Sequence, residues 1–343
     1  MKVCFLIPEY VTDYYGRSAF CLMHECSRFD STINEFDASC DIVFSTCFLD
    51  SKMGRLYSKI KKSHPEKIFI NYLWDLPFWR ADPQREQKSL FSIRGLISTR
   101  PYPLLFKPWR DQYEYYIKSG DVLLCSSEHT RNEVKKFYGV DSEVLHLYFP
   151  SADIKQDGLA SERGDQIVYV GRIEEYKRVD ILIRAVAKLE MPPKLVIVGR
   201  GSKQEECERL ARELNVTVEF KGHLERQEMQ REVGRSKIFV SPSIMEGNPG
   251  WGPCEAVWGG TPAIMADIPE TREFFADGAV YFRQDDPKSL AEKLALLLRD
   301  SALRGSVLRH SRENISFYSL ENGIERLEDF CTRAMKLYSE NVR

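Results

Sequence analysis

Short apolar runs alternate with longer amphipathic stretches throughout this 343-residue chain. The short runs are rich in residues that favour strands, whereas the stretches between them repeat apolar residues at helical spacing. This alternation is typical of α/β proteins, in which helices connect parallel strands. We predict strands at residues 2–7, 42–45, 67–72, 122–125, 166–170, 194–198, 216–220, 238–240, 263–265 and 280–281. We predict helices at residues 179–189, 203–214, 226–234 and 287–298.

The chain is too long for one ordinary core and suits two domains of roughly 150 residues each. Residues 150–164 are polar, contain glycine and lack periodicity, which predicts a linker between two doubly wound sheets. We place the first domain at 1–155, the second at 165–318 and a final helical segment at 319–343. That last segment carries apolar residues three and four apart, which predicts one buried face. These residues are Ile324, Leu327, Phe330, Ala334 and Leu337.

Charge and cysteine content exclude several classes of protein. The net charge of −2 argues against bulk nucleic-acid binding. The nine cysteines form no CxxC pair and no Cys/His cluster at zinc-ligand spacing. The apolar run at residues 3–7 is far shorter than the roughly 20 residues that span a bilayer. We therefore expect reduced cysteines in a cytoplasmic protein without a signal peptide.

Residues 51–118 form a locally basic segment. They contain fourteen Lys and Arg against six Asp and Glu, a balance of +8. Aromatic residues such as Phe78, Trp79, Phe106 and Trp109 lie among these cations. Exposed cations and aromatics suit anionic lipid headgroups, so one interpretation is peripheral contact with a membrane. The alternative is a solvated surface over core aromatics.

The first candidate motif is GRIEEYKR at residues 171–178, between a predicted strand and a predicted helix. It places Arg172 and Lys177 in one loop. A guanidinium binds two oxygens at once and an ammonium acts as a point charge, so this pair suits a diphosphate. The alternative is a solvated charged loop, which Glu174 and Glu175 favour.

The second candidate motif is SPSIMEGNPGWGPCEA at residues 241–256. A loop dense in glycine and proline leads from a predicted strand into a helix that we expect near Pro253. Backbone N–H groups at such a helix start can approach an anionic ligand. Glu246 and Glu255 flank the loop, and carboxylates accept hydrogen bonds from the vicinal hydroxyls of a ribose or a hexose.

Residues 167 to about 298 resemble the donor domain of retaining glycosyltransferase family 4, a GT-B family also described as glycosyl transferases group 1. The matching segments are VYVGRIEEYKRVDILIRAVAKL, LVIVGRG, VEFKGHL, IFVSPSIMEGNPGWGPCEAVWGGTPAI and ETREFF. Weaker similarity extends to residues 15–18, 126–139 and 317–334. The resemblance implies two Rossmann-like domains that face each other across a cleft, with a C-terminal helix that crosses back to the first domain.

The resemblance also implies roles for individual residues. Arg172 and Lys177 would hold the donor diphosphate, Glu246 would lie near the transferred sugar, and Glu255 would contact the ribose. We take the first three as the catalytic residues. The remaining donor contacts implied are Gly16, Gly171, Gly199, His223, Leu224, Gly247, Asn248 and Pro249.

This chain departs from the family pattern at one place. Eight residues separate Glu246 from Glu255, whereas the family usually has seven, so the loop carries one inserted residue. On the acceptor side, Trp74 and Asp75 follow a predicted strand and are candidate acceptor contacts. For Asp75 the alternative is a helix cap or a turn.

The resemblance implies transfer of a hexose, with retention, from a UDP- or GDP-linked sugar to a hydroxyl of a glycan, lipid-linked or other acceptor. We expect neither a cofactor nor a metal, since the sequence has no Asp-x-Asp triplet. The expected location is cytoplasmic or peripheral at the cytoplasmic membrane face, with no nucleic-acid partner.

Two alternatives belong to other classes. One is a GT-B protein that binds a nucleotide sugar without transferring it, either epimerase-like or inactive. The other, a dinucleotide oxidoreductase, would rest on Gly199 and Gly201, but Gln204 stands where the third glycine is needed.

Overall fold

The computed structural model describes residues 1–7, 29–46, 51–74, 107–146, 164–246 and 251–341. The chain forms two compact units. The first contains Met1–Pro150 and Leu320–Arg343, and the second contains Ser151–Ser319. The first unit is therefore built from both ends of the chain.

The first unit contains a parallel sheet of six strands in the order β2-β1-β3-β4-β5-β6. Its described elements before the second unit are β1 (Lys2–Leu6), β2 (Asp30–Ile33), β3 (Ile42–Thr46), α1 (Ser51–Ser63), β4 (Ile68–Leu73), α2 (Lys107–Ser119), β5 (Val122–Cys125), α3 (Glu128–Tyr138) and β6 (Glu143–Val144).

The second unit contains another parallel sheet of six strands, in the order β12-β11-β10-β7-β8-β9. Its elements are β7 (Gln166–Val170), a 3-10 turn (Glu175–Lys177), α4 (Val179–Val186), β8 (Lys194–Val198), α5 (Gln204–Glu213), β9 (Val218–Gly222), α6 (Arg226–Arg235), β10 (Ile238–Ser241), α7 (Trp251–Trp258), β11 (Ala263–Ala266), α8 (Pro269–Phe275), β12 (Val280–Phe282), α9 (Pro287–Arg299) and α10 (Ser301–Ser316). The chain then returns to the first unit as α11 (Leu320–Asn341).

The four inner strands of the first unit, β1, β3, β4 and β5, are buried on both faces, which is why they appear in the sequence as continuous apolar runs. In β1, Val3 and Phe5 belong to one buried cluster, whereas Cys4 and Leu6 belong to another. This division follows the alternation of side chains along a strand. The predicted α/β class, with Rossmann-like sheets covered by helices, is confirmed.

Helix α11 covers the face of the first sheet that carries Val3 and Phe5. Leu327 and Phe330 of this helix are buried in that cluster. Leu337, the last residue of the predicted apolar face, is 58% exposed, whereas Met335 and Tyr338 on either side of it pack against the cluster. No helix within the described ranges has the length and apolar character needed to cross a membrane.

Each predicted strand is present, with small shifts at its ends. Strand β9 begins at Val218 rather than at Val216, because the Val216 amide still closes the end of α5 by donating to Ala211 O at 2.9 Å. The edge strands β2 and β6 were not predicted. The polar sequence of β2 and the two-residue length of β6 give no apolar run. The cysteines within the described ranges are unpaired and buried.

Candidate functional site

The order of strands in the second unit defines where a ligand site is expected. The chain adds β8 and β9 on one side of β7, then continues with β10, β11 and β12 on the other side. Connections that leave neighbouring parallel strands in opposite directions open a crevice at the carboxyl ends of those strands. In this unit that crevice lies between β7 and β10. Both candidate motifs follow these two strands.

The loop after β7 is fixed by backbone hydrogen bonds to the loop after β8. The Gly171 amide donates to Val198 O and the Ile173 amide to Arg200 O, each at 3.0 Å. Gly199 has a φ of +131°, and a Cβ at this position would lie 2.0 Å from Gly171 O. Only glycine allows the two loops to approach this closely.

Arg172 and Lys177 lie around the ring of Tyr176. The Arg172 guanidinium donates a hydrogen bond to the Tyr176 hydroxyl, and its Cζ lies 5.6 Å from the ring centroid. Lys177 Nζ lies 5.1 Å from the same centroid. Cations are attracted to the face of an aromatic ring at such distances. Tyr176 therefore holds the two predicted phosphate-binding cations in one place.

Lys177 and Glu246 form an ion pair between the two motifs. Lys177 Nζ lies 2.6 Å from Glu246 Oε1, and the two side chains are 16% and 11% exposed. A second link joins the same loops, because the Ile244 amide donates to Tyr176 O at 3.0 Å. Charge-assisted hydrogen bonds that are partly shielded from water are stronger than exposed ones. The structure thus brings these two predicted residues into direct contact.

Glu270, which sequence reasoning did not single out, contacts the same loop. Its Oε1 accepts a hydrogen bond from the Glu246 amide at 3.2 Å, and the residue is 3% exposed. It lies in the first turn of α8. The only signal in the sequence was its place in the ETREFF segment.

Glu255 lies on α7, close to the end of β7. The helix approaches the strand at Gly252, where a Cβ would lie 3.3 Å from Val170 O. Burial raises the pKa of Glu255 to about 7, although the positive charge of Arg226 acts in the opposite direction. The nearest approach is 3.9 Å, between an Arg226 nitrogen and Glu255 Oε1. The Glu255 carboxyl is therefore poised to change its charge near neutral pH.

The other predicted donor residues lie after β9 at the carboxyl edge of the second sheet, or outside the described ranges. His223 is exposed and Leu224 is half-buried, just after β9. No group of three or more potential metal ligands occurs among the described residues. The predicted residues that lie outside the described ranges are Gly16, Asp75, Gly247, Asn248 and Pro249.

Trp74, a predicted acceptor contact, follows β4 in the first unit. Its ring packs edge-on against Tyr72 with centroids 5.1 Å apart. Its backbone oxygen accepts a hydrogen bond from the Ser126 hydroxyl. The half-buried ring thus contributes to packing at the carboxyl edge of the first sheet.

Residues 151–314 match the family model for glycosyl transferases group 1. The O-antigen chain mannosyltransferase RfbU of Salmonella typhimurium is 28% identical over 176 residues, which cover 50% of this chain and 50% of that protein. The D-inositol 3-phosphate glycosyltransferase of Streptomyces avermitilis is 25% identical over 255 residues, which cover 66% of this chain and 55% of that protein. The chain spans about half the length of these curated relatives.

A solved structure with a similar fold is that of Anabaena Alr3699/HepE in complex with UDP. It aligns with a TM-score of 0.65 and 13% identity, over 97% of this chain and 100% of that one. At this identity the likeness concerns the fold, which is GT-B.

Proposed function

We propose that this protein, whose residues 151–314 match the glycosyl transferases group 1 model, transfers a hexose from a nucleotide diphosphate sugar to an acceptor hydroxyl. The observation that carries the proposal is the meeting of Arg172, Lys177 and Glu246 at the carboxyl ends of the neighbouring strands β7 and β10. The two cations match the charge of a diphosphate, and the carboxylates of Glu246 and Glu255 match sugar hydroxyls. Similarity to a mannosyltransferase supports a hexose as the transferred group, and similarity to a protein solved with UDP supports a nucleotide diphosphate. We propose that the donor is linked to UDP or GDP.

In the proposed reaction the bond between the anomeric carbon and the diphosphate oxygen breaks while the acceptor oxygen bonds to the same face of that carbon. The acceptor proton passes to the departing phosphate. Because the new bond forms on the face that the phosphate leaves, the configuration is retained. Arg172 and Lys177 neutralise the charge that develops on the diphosphate, which is the role expected of groups positioned before the reaction. Because these side chains supply positive charge, we propose that the transfer needs neither a metal nor a cofactor.

A thermal-shift screen against UDP, GDP, ADP and their common sugar conjugates tests this proposal. Each ligand is tested with EDTA present. A ligand that binds only the folded state raises the melting temperature by mass action. We expect one nucleotide and its sugar conjugate to stabilise the protein. A folded protein that responds to none of them would overturn the proposal.

One observation favours the alternative of a nucleotide-sugar-binding protein without transferase activity. The additional residue between Glu246 and Glu255 lies in the loop expected to face the sugar. Incubation with the stabilising donor, labelled in its sugar, separates the two functions. Transfer of label to a glycan, lipid-linked or other hydroxyl acceptor supports the transferase, whereas binding without transfer or hydrolysis supports the alternative.

Glu255→Gln is expected to weaken binding of the sugar nucleotide by about tenfold, because a neutral amide is a poorer acceptor for two ribose hydroxyls than a carboxylate. In the wild type, affinity should rise as the pH increases through 7, where this carboxyl ionises. The variant should lose that dependence. Calorimetric titrations between pH 6 and 8 measure both effects, and an unchanged affinity would contradict the ribose assignment.

The same substitution is expected to stabilise the ligand-free protein at high pH. Since the folded state raises the pKa of Glu255 from 4.5 to about 7, it binds this proton more tightly than the unfolded chain. Stability should therefore fall as the pH rises between these values. Glu255→Gln should add about 1 to 3 kcal/mol to the free energy of unfolding at pH 8, with little gain at pH 4.5. Denaturant unfolding at pH 8 and at pH 4.5 measures this gain in stability. An equal gain at both pH values would show that the raised pKa of Glu255 is not its cause.

On the acceptor side, we propose that the first unit contacts an anionic membrane face through helix α1. Arg55, Lys59 and Lys62 are exposed and share one face of this helix, since their spacing is four and then three residues. They line a groove with Tyr115 of α2. Within the described ranges these three cations form no ion pair. This basic face matches the charge of anionic headgroups and suits a lipid-linked acceptor.

Replacing Arg55, Lys59 and Lys62 with glutamine is expected to reduce binding to phosphatidylglycerol vesicles by about a hundredfold, at about 1 kcal/mol per cation. Vesicle flotation at low salt measures the binding of each variant to the vesicles. The matched control replaces Arg131, Lys135 and Lys136 of α3 with glutamine, because these cations already pair with acidic residues. Equal losses in both triple variants, or no binding by the wild type, would contradict the assignment.

A further inference from the structure

The segment between β10 and Glu246 is fixed by side chains and backbone from three other elements. Gln284, after β12, donates from Nε2 to Ile244 O at 3.4 Å. The Ile244 amide donates to the backbone of Tyr176, and the Glu246 amide donates to Glu270. These contacts set where the backbone of Glu246 lies before any ligand binds.

The contact from Glu270 differs from the other two because it acts at Glu246 itself. Strand β11 pairs with β10 in register, with Ser241 opposite Met265, so the carboxyl ends of the two strands lie side by side. Helix α8 begins shortly after β11 and brings the Glu270 carboxyl within reach of the neighbouring loop. Glu270 is 3% exposed, so its hydrogen bond to the Glu246 amide is largely shielded from water.

The orientation of Glu246 depends on the hydrogen bond between its amide and Glu270, which we call the anchor. Its amide is held by Glu270 at 3.2 Å, while its carboxylate is held by Lys177 at 2.6 Å. With both ends fixed, the side chain has little freedom to turn toward solvent. Reaction rates fall steeply when a reacting or contacting group is displaced by about 1 Å.

We propose that Glu270 is a positioning residue that fixes Glu246 for contact with the transferred sugar. This inference rests on the proposed function of Glu246 as a sugar contact. Two of the three groups proposed to bind the nucleotide, Arg172 and Glu255, lie on other elements. The third, Lys177, pairs with Glu246 but lies on the 3-10 turn after β7 and is also held near the Tyr176 ring. Loss of Glu270 should therefore impair the sugar contact and spare the nucleotide contacts.

The experiment compares Glu270→Ala, Glu270→Gln and the matched control Glu292→Ala, which removes an exposed carboxylate from α9 of the same unit. In Glu270→Ala, kcat is expected to fall by about tenfold or more, while the Kd for the nucleotide diphosphate changes by less than about threefold. In this variant the sugar nucleotide should bind no more tightly than the nucleotide diphosphate alone. Glu270→Gln should retain most activity, because its amide oxygen still accepts from the Glu246 amide.

Hydrogen exchange supplies a readout that needs no activity. The Glu246 amide should exchange about tenfold faster or more in Glu270→Ala than in the wild type, and at nearly wild-type rate in Glu270→Gln and Glu292→Ala. Unchanged exchange would overturn the anchor, and a nucleotide Kd that weakens as much as kcat would reduce Glu270 to a structural role. If the Glu246 amide of the wild type exchanges slowly but the protein neither binds nucleotide nor transfers sugar, the proposed function is overturned. The role of Glu270 in positioning a sugar contact is then overturned with it.

Discussion

Replacing Arg172 and Lys177 together with alanine is expected to lower turnover by at least about a thousandfold, since loss of a single preorganised donor to a developing negative charge often costs a hundredfold or more. In the structure the Tyr176 ring holds both cations, so each is placed before a diphosphate arrives. Preorganised charges of this kind act mainly on the transition state. We therefore expect kcat to fall more than the affinity for the substrate.

Steady-state kinetics with the donor identified by the thermal-shift screen measure this loss. The matched control replaces Arg209 and Arg212, two exposed cations on α5 of the same unit, with alanine. That variant loses the same formal charge and should keep its rate. A double variant of Arg172 and Lys177 that is folded and turns over at a near-normal rate would place the diphosphate elsewhere.

Glu246→Gln is expected to lower kcat by about a hundredfold and at the same time to tighten binding of the nucleotide diphosphate several-fold. In the ligand-free protein Lys177 is already paired with Glu246 at 2.6 Å. A diphosphate must compete with that carboxylate for the ammonium. Glutamine has nearly the same shape but no charge, so the variant leaves Lys177 available to the phosphate while it removes the carboxylate that we propose contacts the sugar.

Calorimetric titration with the nucleotide diphosphate distinguishes this exchange of partners from a general change in the loop. In a double-mutant cycle, the gain from Glu246→Gln should disappear when Lys177 is also replaced with alanine. Weaker binding by Glu246→Gln alone, in a folded protein, would show that the ion pair assists the nucleotide instead of competing with it.

The sequence allowed the strands other than β2 and β6, and the two candidate motifs that follow β7 and β10, to be predicted because both signals are local. Buried parallel strands are continuous apolar runs, and glycine with proline marks the loop before Glu255. The pairing of Lys177 with Glu246 is not local, since 69 positions separate them. This pairing depends on β7 and β10 being neighbours in the sheet. The order of strands in a sheet is not encoded in any short segment of the sequence.

Two contacts of the site were missed for a related reason. Tyr176 looks like an ordinary loop residue until its ring is seen beside Arg172 and Lys177. Glu270 resembles any acidic residue in the first turn of a helix, a position that the helix dipole favours in general. Its contact with Glu246 arises because β11 pairs with β10, and hydrophobic periodicity does not report which strands pair.

The place of α11 has a consequence for synthesis on the ribosome. Residues of β1 are made before the second unit, whereas Leu327 and Phe330, which cover one face of their sheet, are made after it. The second unit is continuous in the chain and can fold as it is released, whereas the first must wait with apolar surface uncovered. Nascent chains in that state are prone to aggregate. The first unit therefore begins its synthesis before the second unit but completes its folding after it.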